Sequence, residues 1–132
     1  MADRTPVVAL IGAGSMGRGI AYVLARAQIP VLVFDAHAEN ARAALDHLQR
    51  AMEGRISQGR MTREQARTAL HGVHVVEHLD DLAPADVVIE AVVENLEIKR
   101  AILHKVEEKV RPGTLITTNT ATLSINALSE GL

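Results

Sequence analysis

Apolar residues along the 132-residue chain fall into two kinds of run. Val7-Val8-Ala9-Leu10-Ile11 is unbroken, rich in β-branched residues, and stops at Gly12. A strand covered on both faces in a parallel sheet reads this way. From Ser15 the period changes: Met16, Ile20, Val23 and Leu24 stand at i, i+4, i+7 and i+8, one face of a helix that Pro30 ends. Val31-Leu32-Val33-Phe34, closed by Asp35, is a second strand run. Ala41, Ala44, Leu45, Leu48, Ala51, Met52 and Ile56 mark a long helix from Asn40 to about Gln58, with Gly59 as its stop. Thr62-Arg-Glu-Gln65 has the form of a capping box and opens a second helix that ends near His71-Gly72. Val73 to Val76 and Ala85 to Ile89 predict strands, and Asn95 to Val110 a helix. Pro112-Gly113 predicts a turn, Thr114 to Thr118 a last strand, and Ser124 the cap of a short final helix.

Strands that alternate with helices imply an α/β domain with a doubly wound, mostly parallel sheet. The helix from Asn40 to Gln58 spans ~29 Å at ~1.5 Å per residue, more than a simple crossover needs. The two helices therefore predict a projecting hairpin whose tip, near Arg55 to Arg60, stands clear of the sheet.

Composition narrows the function. A formal net charge of -2 and a pI near 6.3 argue against a nucleic-acid partner held by phosphate neutralisation. With aromatics at 2%, a base-stacking surface is missing as well, and the core falls to Val, Ile, Leu, Ala and Met. No cysteine is present, which excludes disulfides and thiolate chemistry. No apolar run approaches the ~18 residues of a membrane span, and the short polar start has no signal-peptide pattern. A cytoplasmic protein is the expectation. His71, His74 and His78 lie close in sequence but lack metal-motif spacing, so no metal is expected.

The chemistry-bearing segment is Gly12-Ala13-Gly14-Ser15-Met16-Gly17, a G-x-G-x-x-G that follows a buried strand and opens a helix. Gly12 permits a sharp turn, Gly14 lets a pyrophosphate approach the backbone, and Gly17 lets the helix pack close to the strand. The helix start offers unpaired N–H groups and a positive dipole end to that pyrophosphate. Asp35 stands 18 residues after Gly17, at the end of the second strand, where an acid reaches the adenosine ribose. A carboxylate there repels a 2′-phosphate, and no arginine follows until Arg42, so NAD is expected over NADP. Glu90 lies in the next strand run, and Glu94 past its carboxyl end, in the ligand crevice of open α/β sheets. Lys99, one helical turn beyond Asn95, reads either as a crevice residue or as a solvated or ion-paired lysine. Asn119, at the end of the last strand, falls near the nicotinamide.

Taken together, Gly12 to Ala21, Asp35, Val88 to Lys99 and Thr118-Asn-Thr120 resemble the NAD-binding domain of the L-3-hydroxyacyl-CoA dehydrogenases, the 3-hydroxybutyryl-CoA enzymes included. The resemblance covers essentially the whole chain and implies a Rossmann-type fold. It implies that Gly12, Ala13, Gly14, Ser15, Met16, Gly17, Asp35, Glu94, Lys99 and Asn119 bind the cofactor. Ala121 stands where the family's Asn-Thr-Ser motif has a serine that contacts substrate and nicotinamide. Ala51 and Gln58 replace hairpin residues that contact coenzyme A in relatives, and Arg55 and Arg60 are nearby substitutes for the lysine. The family's catalytic histidine, its glutamate partner and a helical substrate and dimerisation domain fall after Leu132. The resemblance thus implies a domain over 1–132 of a longer homodimeric enzyme, with no catalytic residue in this chain and no turnover by it alone.

The function so implied is oxidation of a 3-hydroxyacyl thioester to the 3-ketoacyl form by hydride transfer to NAD. A carrier-protein-linked or non-thioester hydroxy acid is the alternative substrate, kept open by Ala51, Gln58 and Ala121. A regulatory module that senses NAD(H) is the alternative of another class, but it has no use for Glu94, Lys99 and Asn119 at the nicotinamide end.

Overall fold

The computed structural model of the chain describes residues 5–91 and 96–118. The elements run β1 (Val8–Ile11), α1 (Ser15–Arg26), β2 (Val31–Phe34), α2 (Ala38–Ser57), α3 (Arg63–His71), β3 (Val73–Val75), β4 (Val87–Glu90), α4 (Leu96–Lys109) and β5 (Leu115–Thr118). The final helix capped by Ser124 lies outside the described residues. One short element was not legible in the sequence: a 3-10 turn over Leu79–Leu82, which buries Leu82.

All strand pairs are parallel, in the order β3-β2-β1-β4-β5. The sheet is the doubly wound arrangement that the alternating pattern predicts. Its two faces follow from the period-2 alternation of side chains along a strand. Leu10, Val31, Val33 and Val73 point to one face, where Ala21 and Ala25 of α1, Ala41, Ala44, Leu48 and Met52 of α2 and Ala66 and Ala69 of α3 cover them. Ala9, Ile11 and Val88 point to the other, against Leu82, Ala85 and Val106. Small alanines on three helices let those helices lie close to the sheet, which a core with 2% aromatics requires.

Chain reversals are set by local chemistry. Thr62 Oγ1 accepts from Gln65 N at 3.1 Å while Gln65 Oε1 accepts from Thr62 N at 2.9 Å, the reciprocal bonds of a capping box. After α2, Gly59 takes φ +72, and Gly59 N and Arg60 N donate to Ile56 O and Arg55 O, a Schellman closure. α1 closes in the same way through Gln28 N to Ala25 O and Ile29 N to Leu24 O, with Gln28 at φ 60. The expectation of a free-standing hairpin tip needs refinement. Residues 57–60 are exposed, yet Ile56 and Met61 pack on the core and bring the underside of the tip against the end of α1. Hydrophobic burial at those two positions outweighs projection.

The tightest constraint lies between β1 and α1. A Cβ placed on Gly17 would stand 1.9 Å from Gly12 O, a backbone atom that cannot swing away. Gly17→Ala is expected to lower the unfolding free energy by about 3 kcal/mol, the upper range of overpacking. Urea unfolding of the two chains followed by circular dichroism checks it, and equal midpoints would remove the argument.

Candidate cofactor-binding site

In the order β2-β1-β4, the chain leaves β1 toward β2 on one side and returns to β4 on the other. Open α/β sheets bind ligands at such a switch point, outside the carboxyl ends of the strands. A crevice of about 370 Å³ lies there, lined by Ile11, Gly12, Gly14, Asp35, Ala91 and Ile102 among others. Gly12 turns the chain with φ 104, and Gly12 N donates to Phe34 O at 2.8 Å. Gly14 is the N-cap of α1, and a Cβ added to it would meet nothing within 4 Å, so ligand can approach this backbone. The first turn of α1 holds no acidic side chain, and the first N–H groups of a helix have no intrahelical partners. That combination suits a pyrophosphate. Arg18 packs back on the turn, with Nε donating to Ala13 O at 3.3 Å.

Asp35 joins the two strand ends that frame the crevice. Its Oδ2 accepts from Ala13 N at 2.8 Å, and its Oδ1 accepts from His37 N at 2.9 Å and Asn40 Nδ2 at 3.3 Å. The carboxylate is thereby held at the crevice rim, where ribose hydroxyls are welcome and a phosphate dianion is not. His37 and Asn40 escaped the sequence reading. The helical pattern begins at Ala41, whereas α2 starts at Ala38, so Asn40 looked like a boundary rather than a donor to Asp35.

The deepest ionic feature is Lys99 with Glu90. Lys99 Nζ lies 2.6 Å from Glu90 Oε2, and the two side chains are 1% and 0% exposed. Glu90 pairs in register with Ile11, the residue before the glycine turn, and Ala91 N donates to Ile11 O at 2.7 Å. Lys99 is thus ion-paired to Glu90 rather than solvated. Charges this deep are tolerated only when paired and hydrogen-bonded. Ile102, one turn further along α4, lines the crevice directly. Glu94, Asn119 and Ala121 lie outside the described residues. Ser15 and Met16 are exposed on the first turn of α1, and Ala13 is buried beneath it. Arg55 and Arg60 do not line the crevice; they meet Arg26 and Gln28 at the α2–α3 turn. No group of three metal-ligating side chains gathers among the described residues.

Residues 7–132 match the family described as 3-hydroxyacyl-CoA dehydrogenase, NAD binding domain. The chain belongs to that family. The NAD-binding domain is 36% identical over its whole length to the fatty acid oxidation complex subunit alpha of Pseudomonas paraeruginosa, and spans 18% of that protein. It is 40% identical over 122 residues to the 3-hydroxyadipyl-CoA dehydrogenase of Escherichia coli K12, covering 92% of this chain and 26% of the relative. Among solved structures, a 3-hydroxybutyryl-CoA dehydrogenase from Escherichia coli K12 superposes with a TM-score of 0.90 at 39% identity, over 96% of this chain and 27% of the other. An (S)-3-hydroxybutyryl-CoA dehydrogenase from Ralstonia eutropha gives 0.92 at 28% identity, over 97% and 45%. The domain thus spans between 18% and 45% of the length of these relatives. Its glycine turn, open Gly14 and rim carboxylate fit the NAD that the family binds.

Removing one partner of a buried ion pair leaves an uncompensated charge at a cost of about 3–5 kcal/mol. Lys99→Met and Glu90→Gln are each expected to destabilise the domain on that scale. The double variant is expected to lose much less than the sum of the singles. A double-mutant cycle by chemical denaturation measures the coupling, and additive losses would mean the pair contributes nothing as a pair.

Proposed function

We propose that the chain is the cofactor-binding part of an enzyme that oxidises a 3-hydroxyacyl-CoA to its 3-ketoacyl form. The observation that carries this is the crevice at the β1–β4 switch point, with Gly12 and Gly14 beneath it and Asp35 fixed at its rim. The names of the relatives favour a thioester substrate over a non-thioester one, and a catalytic role over an NAD(H)-sensing one. Bound in the crevice, NAD supplies the acceptor for the hydride that leaves the substrate's C3.

The residues of this chain have distinct tasks in that reading. The N–H groups of the first turn of α1, from Gly14 through Ser15, Met16 and Gly17, hold the pyrophosphate. Asp35 accepts from the adenosine ribose hydroxyls. Glu94, Lys99 and Asn119 orient the nicotinamide end, with Glu90 holding the Lys99 ammonium. The proton acceptor for the substrate hydroxyl is assigned to a histidine in a helical domain of the parent, which also supplies the homodimer contact and the second wall of the cleft. Arg55, Arg60 and Ala121 are assigned to the substrate side, and the parent to the cytoplasm.

Two measurements test this. Titration calorimetry of the chain with NAD and NADP is expected to give tighter binding of NAD. Asp35→Ala is expected to weaken NAD by about 10-fold or more, the scale of hydrogen bonds to a charged group, and to narrow the difference. Equal affinity of the wild-type chain for both cofactors would overturn the role given to Asp35. In the second, the complete gene product is expected to form NADH from 3-hydroxybutyryl-CoA while the 132-residue chain does not. General acid–base catalysis is worth ~10²–10⁴-fold, so turnover by the chain itself would refute the missing-base assignment.

A further inference from the structure

The carboxylate of Asp35 is already heavily engaged before any ligand arrives. A carboxylate offers roughly four lone-pair positions. Three of them are taken: Ala13 N donates to Oδ2, and His37 N and Asn40 Nδ2 both donate to Oδ1. One position is left, on Oδ2. An adenosine ribose presents a pair of neighbouring hydroxyls, at C2′ and C3′. Asp35, bonded in this way, has room for one of the pair, and the other needs a second acceptor at the same rim.

Asn40 supplies that acceptor. Its side chain is half-buried and lines the crevice together with Asp35. The amide has only one workable orientation. A carboxylate accepts and never donates, so the NH₂ group faces Asp35 Oδ1 at 3.3 Å and the carbonyl oxygen is left over. No donor among the described residues meets that oxygen. The backbone beneath it is fixed in the first turn of α2, where Asn40 N donates to His37 O at 2.9 Å. His37 also lines the crevice, but it is exposed and is tied to Asp35 by its backbone N–H rather than its ring. The two ends of the Asp35 carboxylate set the order of the hydroxyls. Oδ2 is tied to the glycine turn through Ala13, and Oδ1 to the start of α2. In the ribose, C3′ lies toward the arm that carries the pyrophosphate, and C2′ lies toward the adenine. With the pyrophosphate at the glycine turn, the 3′-hydroxyl falls on the Oδ2 side and the 2′-hydroxyl on the Asn40 side.

We propose that Asn40 Oδ1 accepts from the 2′-hydroxyl of the adenosine ribose while Asp35 Oδ2 accepts from the 3′-hydroxyl. The assignment rests on the reading of the crevice as the NAD site. It makes Asn40 a specificity-determining residue beside Asp35. A 2′-phosphate dianion has no hydrogen to give to Oδ1, and the amide cannot turn to donate without setting its own oxygen against the Asp35 carboxylate.

The test is calorimetric titration of the complete gene product with NAD and with its 2′-deoxy and 3′-deoxy forms, each altered on the adenosine ribose. Asn40→Leu keeps the shape of the side chain and removes both of its polar ends. It is expected to weaken NAD by about 5-fold, the worth of one neutral hydrogen bond, and to weaken 3′-deoxy-NAD by the same factor. Affinity for 2′-deoxy-NAD is expected to be equal in the variant and the wild type. Asp35→Ala is expected to cost 3′-deoxy-NAD less than it costs NAD. Each result is a ratio of ligands on one protein, so a fall in the folded fraction, which weakens every ligand alike, drops out. A residue that only steadied Asp35 would couple to the 3′-hydroxyl instead. That coupling would overturn the assignment, as would an affinity for NAD unchanged by Asn40→Leu. Absence of NAD binding by the wild type would overturn the crevice reading and the assignment with it.

Discussion

The space between Gly12 and Gly17 governs the domain. With 1.9 Å between Gly12 O and a hypothetical Gly17 Cβ, α1 begins almost on top of the turn that ends β1. That proximity puts the positive end of the helix at the carboxyl edge of the sheet rather than beside it. It also draws α1 down far enough for Ala21 and Ala25 to bury against Leu10, Val31 and Val33. Any side chain at position 17 would lift the helix, and with it both the phosphate-facing amides and the upper part of one core layer. The binding crevice and the packing of the sheet are thus two results of one steric fact.

Around this contact, polar groups do the joining that the aliphatic core cannot. Asp35 bonds to the glycine turn at Ala13 and to the start of α2 at His37 and Asn40. Glu90 and Lys99 join β4 to α4 beneath the other side of the crevice. At the opposite edge, Asp86 accepts from Val7 N at 2.8 Å and meets Arg111 at 2.7 Å, which ties the entry of β1 to β4 and the end of α4. An aliphatic core sets layer and spacing but is tolerant of register. Directional bonds at both edges of β1 remove that tolerance where the site needs it. At the far end of α2, Arg55 Nε is the exception among the described residues, buried without a hydrogen-bond partner.

Much of the fold was legible in residue order. Strand runs of Val, Ile and Leu without alternation announced a sheet covered on both faces, and the structure covers it with three helices on one face and α4 with a 3-10 turn on the other. The capping box at Thr62 and the stop at Gly59 hold to the residue, because each depends on chemistry within four positions of itself. Boundaries without a local signal drifted. α2 starts at Ala38, with no side-chain cap at His37, and β4 starts at Val87 rather than Ala85. The 3-10 turn at Leu79–Leu82 was missed because its four residues carry too short a pattern to show a period.

What the sequence determined by itself is therefore whatever rests on spacing along the chain: the glycine turn between a strand and a helix, the acid 18 residues further on, and the order of the elements. The tertiary structure decided whatever rests on distance between segments. Nine positions separate Glu90 from Lys99, and only the packing of α4 on β4 turned an ambiguous lysine into a buried ion pair 2.6 Å long. Arg26 lies 29 positions before Arg55, and no periodicity joins them. They meet because Ile56 and Met61 draw the end of the hairpin onto the core beside α1, and burial of that kind is decided in three dimensions.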